Sequence, residues 1–166
     1  MIEAATLLFL AFIVVQRLSE LVIARRNTAR LRAEGAVEVG ASHYPWMVAM
    51  HSAWIAGLIL LGYDETVAYG WLAAFLLLQV FRIWILGTLG RRWTTRIIVL
   101  PEPLVERGPF RYVRHPNYML VVGEIFVAPM VLGLLWFAIL FSVLNAAMLW
   151  VRIGVEDRAL SPLRGQ

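Results

Sequence analysis

The chain has 166 residues, of which 61% are apolar and 16% charged, with a net charge of +4 and no Cys. A soluble domain is roughly half apolar and about a quarter charged, so this composition excludes a disordered chain, a nucleic-acid-binding tail and an ordinary water-soluble globule. It points to an integral membrane protein with no disulfide, thiolate metal site or Cys nucleophile, and because all 15 cations are Arg there is no lysine for Schiff-base or general-base chemistry.

The first apolar segment runs from Ala4 to Ala24. It is too long for a signal peptide and has Glu3 where such a peptide carries a cation. The second runs from Pro45 to Gly62 and the third from Trp71 to Leu89. The last region, Tyr118 to Val151, is too long for one span of about 20 residues. Gly133, preceded by Pro129, divides it into a tight helical hairpin over 118–133 and 135–152. Both arms are short, which implies tilt or local thinning of the bilayer.

Orientation follows from the connecting segments. The loop from Arg25 to Tyr44 carries Arg25, Arg26, Arg30 and Arg32. The loop from Gly90 to Asn117 carries Arg91, Arg92, Arg96, Arg107, Arg111 and Arg114, and the tail adds Arg158 and Arg164. The links Tyr63–Gly70 and Leu134–Trp136 have no cation. The positive-inside rule then gives an all-α integral membrane protein of five transmembrane helices, N-terminus outside and C-terminus cytoplasmic. Residues 1–166 form a single membrane domain, and the basic loops face lipid headgroups, with no nucleic-acid partner.

Charged side chains inside spans are costly and need partners or polar cavities. Arg17 and Glu20 share a helical face at i, i+3, an ion pair near the cytoplasmic interface with Arg17 snorkelling. Arg82 lies seven residues from Leu89, roughly 10 Å below the interface, and needs a carboxylate that Glu124 or Glu20 can supply. Glu124 is either a structural partner of Arg82 or a residue of the site. His51, in span two, reads as a hydrogen-bonded core histidine, and His43 as a solvated loop residue. At the end of span five Arg152 and Glu156 share a face at i, i+4, with Asp157 turned about 100° away. Two acids at a helix C-terminus oppose its dipole, which points to a role beyond capping.

The stretch Leu104 to Tyr118 is the densest in chemistry. Gly108-Pro109 marks a turn, His115 before a proline is extended, and Pro116 suits the first turn of a helix. Arg114, His115 and Asn117 are thereby delivered to a helix N-terminus, a place that holds a carboxylate or phosphate.

The run Gly108-Pro-Phe-Arg-Tyr-Val-Arg-His-Pro-Asn-Tyr118 resembles the Gly-Pro-(Tyr/Phe)-Arg-x-x-Arg-His-Pro-x-Tyr signature of the isoprenylcysteine carboxyl methyltransferase superfamily. The closing Arg152-Ile-Gly-Val-Glu156-Asp157-Arg-Ala-Leu160 resembles its Arg-(x)3-Glu-Glu-x-x-Leu. Together they cover residues 104–160. Gln16-Arg17-Leu18-Ser19-Glu20-Leu21, Ala24-Arg25-Arg26-Asn27, Glu124 and Leu144-Asn145 are similar to the small bacterial branch, which includes O-methyltransferases of alkylresorcinols and alkylpyrones. Two positions depart from the pattern: Leu120 stands where a Gly is frequent, and Asp157 replaces the second Glu.

The resemblance implies that S-adenosylmethionine binds from the cytoplasm, in a pocket formed by the 104–118 loop and the hairpin. The cofactor-binding residues would be Gly108, Pro109, Phe110, Tyr112, Arg114, His115, Pro116, Tyr118 and Glu156. Arg114, His115 or loop amides would take its carboxylate and Glu156 its ammonium, with aromatic rings on the adenine or the cation. No metal is required. A lipophilic acceptor would enter from the bilayer, its oxygen oriented by Arg152. A carboxylate acceptor needs no base, whereas a phenol benefits from one, for which Glu124, Glu156 and His115 are the candidates. O-methylation of an alkylated phenol or pyrone leads, ahead of prenylcysteine carboxyl or phospholipid methylation. Readings of another class are an NADPH-dependent membrane reductase and a non-catalytic lipid-binding protein. The expected location is a bacterial plasma membrane.

Overall fold

In hydrocarbon the backbone must satisfy its own N–H and C=O groups, so apolar runs of this length fold as helices. The computed structural model describes residues 3–163, and Arg164 lies outside them. Five long helices follow one another: α1 (Ala4–Ala33), α2 (Tyr44–Gly62), α3 (Tyr69–Leu89), α4 (Pro116–Val131) and α5 (Leu135–Leu160). Four of them are long and apolar enough to cross a bilayer, the exception being the shorter α4. At 16 residues α4 is about 24 Å long, less than the roughly 30 Å hydrocarbon core.

The structure corrects several of the expected boundaries. α1 continues to Ala33 instead of stopping at Ala24, so Arg25, Arg26, Arg30 and Arg32 are helical. α5 continues to Leu160, which places Glu156 and Asp157 on regular helix. The expected all-α fold also contains a small sheet. β1 (Val37–Val39) pairs antiparallel with β2 (Ile97–Val99), with Glu38 opposite Ile98. Glu38 reinforces this clamp by ion pairs to Arg32 and Arg96.

The α4–α5 turn is the tight hairpin anticipated around Gly133. Leu134 N–H donates to Pro129 O at 3.0 Å and Gly133 N–H to Met130 O at 3.1 Å. This is a Schellman closure, with Gly133 at φ +70° in the left-handed position that glycine tolerates. Ala68 N–H caps Val131 O at 2.8 Å, tying the α2–α3 link to the same turn.

Three layers succeed each other along the bundle. Phe9, Leu10, Ile13, Trp54, Leu58, Phe75, Ile125, Leu132 and Phe141 form an apolar core toward the α4–α5 turn. Next comes a buried ionic layer. Arg82 donates to Glu20 at 2.8 Å and, through Nε, to Glu124 at 2.8 Å. A second bond joins Arg82 Nη2 to Glu124. Arg17 reaches Glu124 at 2.7 Å and Glu20 at 3.4 Å. Gln79 donates to Glu124 at 2.9 Å and accepts from Gln16 at 2.6 Å. Two guanidinium and two carboxylate charges thus balance, joining α1, α3 and α4. Arg82 takes both of the carboxylates considered for it. Beyond this layer, at the Arg-rich end, the helices open into a cavity.

Candidate functional site

Sequence places the cavity's walls. Pro116 starts α4 and Gly108-Pro109 turns the preceding loop. The left-handed φ of +59° at Gly108 lets that turn pass against the Thr88 side chain on α3. On the opposite side Asn27 of α1 holds the Gly90–Trp93 turn, donating to Trp93 O at 2.8 Å and Gly90 O at 3.2 Å. The β1–β2 clamp closes the top.

The cavity has a volume of about 350 Å³ and is lined by Phe110, Arg114, His115, Asn117, Tyr118, Arg152 and Glu156, with Trp93, Arg96 and β2 opposite. That volume lies within the range of small-molecule sites, roughly 300–1,000 Å³. The motif loop and the closing motif on α5 therefore meet in one place, although 34 residues separate Tyr118 from Arg152.

Their contacts form a connected chain. Arg152 Nε donates to Tyr118 Oη at 2.8 Å, and Tyr118 O–H donates to Glu156. Arg152 and Glu156, which share a helical face at i, i+4, are thus joined through Tyr118 of α4. Arg152 is fixed further by Thr95 O at 2.9 Å and Met47 Sδ at 3.1 Å. Asp157 receives His115 Nε2 at 3.1 Å, while His115 Nδ1 faces Glu156 Oε1 across 3.7 Å. The His115 ring also stacks on Tyr118 at 5.4 Å. Glu156 first, and Asp157 with it, hold His115 above the usual imidazole range, against the opposing effect of partial burial.

Three of the four arginines lining the cavity are engaged. Arg92 bonds Glu102 and Pro103 O, Arg96 bonds Glu38 and stacks on Tyr44 at 4.0 Å, and Arg152 is held as above. Arg114 is exposed to the cavity and makes no ion pair among the described residues. The indole N–H of Trp93, another lining residue, is buried without a hydrogen-bond partner. The cavity thus offers a free guanidinium, a carboxylate and aromatic faces, with an unpartnered N–H buried in its wall.

Not every predicted residue lines it. Gly108, Pro109, Tyr112 and Pro116 are absent from the wall: the first, second and fourth shape the loop, and Tyr112 is 75% exposed. Glu124 is fully buried in the ionic layer and does not line the cavity either. Its structural pairing with Arg82 is the arrangement observed, and it extends to Arg17. Met47, Trp93, Thr95 and β2, which complete the site, were not among the predicted site residues; Trp93 reads from sequence only as an interfacial Trp near a span end. They lack a local motif and reach it only through the clamp and α2.

Comparison with known proteins adds a family. The model of the isoprenylcysteine carboxyl methyltransferase (ICMT) family matches residues 71–162, from α3 through the cavity loop to the end of α5. The chain is 39% identical over 159 residues to the uncharacterized protein YpbQ of Bacillus subtilis, covering 92% of this chain and 95% of the relative. It is 29% identical over 161 residues to an uncharacterized protein of Haemophilus influenzae, covering 92% and 93%. No solved structure matches.

Proposed function

The chain belongs to the isoprenylcysteine carboxyl methyltransferase family, whose members are membrane methyltransferases that use S-adenosylmethionine, and from that premise we propose that it methylates an oxygen of a lipophilic acceptor of the alkylated phenol or pyrone type. The observation that carries the reading is the donor set of the cavity. Arg114 is a free cation for a carboxylate, and Glu156 a carboxylate for an ammonium, on one wall lined by Phe110 and Tyr118. The Trp93 N–H, buried in the same wall, has no partner among the described residues. This set suits a zwitterionic amino acid end joined to an aromatic base.

S-adenosylmethionine supplies an electrophilic methyl group. The protein's part is alignment, charge placement and exclusion of water. Arg152, locked by Tyr118, Thr95 and Met47, orients the acceptor oxygen and stabilises its negative charge. A guanidinium at that point suits an oxygen nucleophile and disfavours the amine of a phospholipid headgroup. The acceptor enters from the bilayer on the α2 side, and the Arg-rich cavity faces the cytoplasm of a bacterium, in keeping with the positive-inside rule.

The test is transfer of radiolabelled methyl, by protein in nanodiscs, to pentadecylresorcinol and to a farnesylcysteine analogue. Labelling of the resorcinol well above that of the thioether supports the reading. Labelling of the farnesylcysteine alone replaces it with carboxyl methylation.

A further inference from the structure

A phenolic acceptor must lose its proton, and the three candidates for a base are all engaged. Glu124 is taken by Arg17, Arg82 and Gln79. Glu156 accepts from Tyr118 and faces His115, and His115 has both ring nitrogens turned to carboxylates, Nε2 to Asp157 and Nδ1 to Glu156. A different residue stands beside Arg152. Met47 touches Arg152 through its sulfur at 3.1 Å, and His51 is one helical turn along α2 on the same face, about 6 Å away. His51 Nδ1 is 2.9 Å from Met47 O. A carbonyl only accepts, so Nδ1 carries the proton, and in the neutral ring Nε2 keeps its lone pair. Among the described residues Nε2 has no hydrogen-bond partner. The charged groups that act on the ring are Arg17 of α1, Glu124 of α4 and Arg152 of α5.

The surroundings extend this polar seam. α2 and α5 run antiparallel, with Met47 against Arg152 at one end and Gly57 against the Phe137 ring at the other. Asn145 therefore sits level with His51. It is 2% exposed and its Oδ1 has no partner, as is true of the indole N–H of Trp54 at 1% exposure. Arg17 lies over the Trp54 ring at 5.9 Å. One donor and one acceptor without partners among the described residues, beside a histidine lone pair, give this buried seam the groups that match a hydroxylated ring.

Resting on the methyltransferase reading above, we infer that His51 is the catalytic base, taking the acceptor's hydroxyl proton at Nε2 while the acceptor head lies between α2 and α5. The acceptor O–H bond breaks, an N–H bond forms on Nε2, and the oxyanion stays beside Arg152. After turnover the imidazolium returns its proton to water.

The experiment compares wild type with His51→Gln and His51→Asn, using pentadecylresorcinol and a nitrophenol bearing the same tail, which is largely ionised in mildly alkaline buffer. S-adenosylhomocysteine affinity, by calorimetry, stays within about twofold in both variants, since His51 does not line the cavity. Turnover of the resorcinol falls about 10²–10⁴-fold, the usual worth of a general base, while turnover of the nitrophenol falls by less than about tenfold. In neutral buffer and without cofactor, nitrophenol bound to wild type shows more of the phenolate absorbance than nitrophenol bound to either variant. Equal losses with both acceptors, or no loss with either, overturn the assignment. So does a wild type that binds S-adenosylhomocysteine but methylates neither phenol. A wild type that does not bind S-adenosylhomocysteine removes the methyltransferase reading itself, and the base with it.

Discussion

Replacing Glu124 by Ala separates a structural role from a catalytic one. Its carboxylate is completely buried and receives Arg17, Arg82 and Gln79. Without it two guanidiniums share Glu20 alone, leaving one net positive charge in the bundle. Breaking a buried pair by removing one partner costs about 3–5 kcal/mol. At about 2–4 °C per kcal/mol for a chain of this size, the midpoint of thermal unfolding falls by about 6–20 °C. Thermal unfolding in detergent, followed by circular dichroism, reads this directly. The cavity is walled by other residues, so the same protein, held below its lowered midpoint, keeps its S-adenosylhomocysteine affinity within about threefold. A variant that melts like wild type but has lost turnover would return Glu124 to the reaction.

Three further outcomes follow from the same geometry. Arg114→Ala removes a charge-assisted contact worth about 1.5–3 kcal/mol, so S-adenosylhomocysteine binding weakens about tenfold to hundredfold with little change in melting; unchanged calorimetric affinity contradicts the placement. Gly108→Ala forces a side chain onto a φ of +59° with its Cβ 2.6 Å from Thr88 Oγ1, and loses about 1–3 kcal/mol of stability by thermal unfolding. His115 is raised above its unfolded value by Glu156 and Asp157. Its contribution is therefore complete below the unfolded pKa of about 6.5 and is lost as pH rises through the raised folded value. The melting difference between wild type and His115→Gln, scanned against pH, shrinks on the alkaline side; a difference that grows there has the wrong sign for this bridge.

The order of the apolar runs and the α4–α5 turn were legible in the sequence because hydrophobic length and a glycine after a helix act locally. The helix ends were not. Arg25 and Arg26 end the apolar pattern of α1, yet Arg is a good helix former and the helix continues beyond the hydrophobic stretch. β1 and β2 have three residues each and lie 60 positions apart, so neither shows a period, and their pairing is a tertiary event. In the site, the two motifs announced Tyr118, Arg152 and Glu156, and the i, i+4 spacing put the last two on one face, but that spacing cannot show Tyr118 arriving between them from α4. The same blindness hid the double use of Glu124 by Arg17 and Arg82, and it left His51 looking like a core residue. Its bond to Met47 O satisfies one ring nitrogen, and its nearness to Arg152 by way of Met47 emerges only when α2 packs against α5.

The central claim is that the cavity between the motif loop and the end of α5 binds the methyl donor. It is tested most directly by calorimetric titration of S-adenosylhomocysteine into detergent-purified wild type and Glu156→Ala, with Glu156→Gln as a check on folding. Micromolar binding to wild type is expected to weaken by at least about tenfold, roughly 1.4 kcal/mol, in both variants. Absence of binding to folded wild type, or identical affinity in all three proteins, would contradict it.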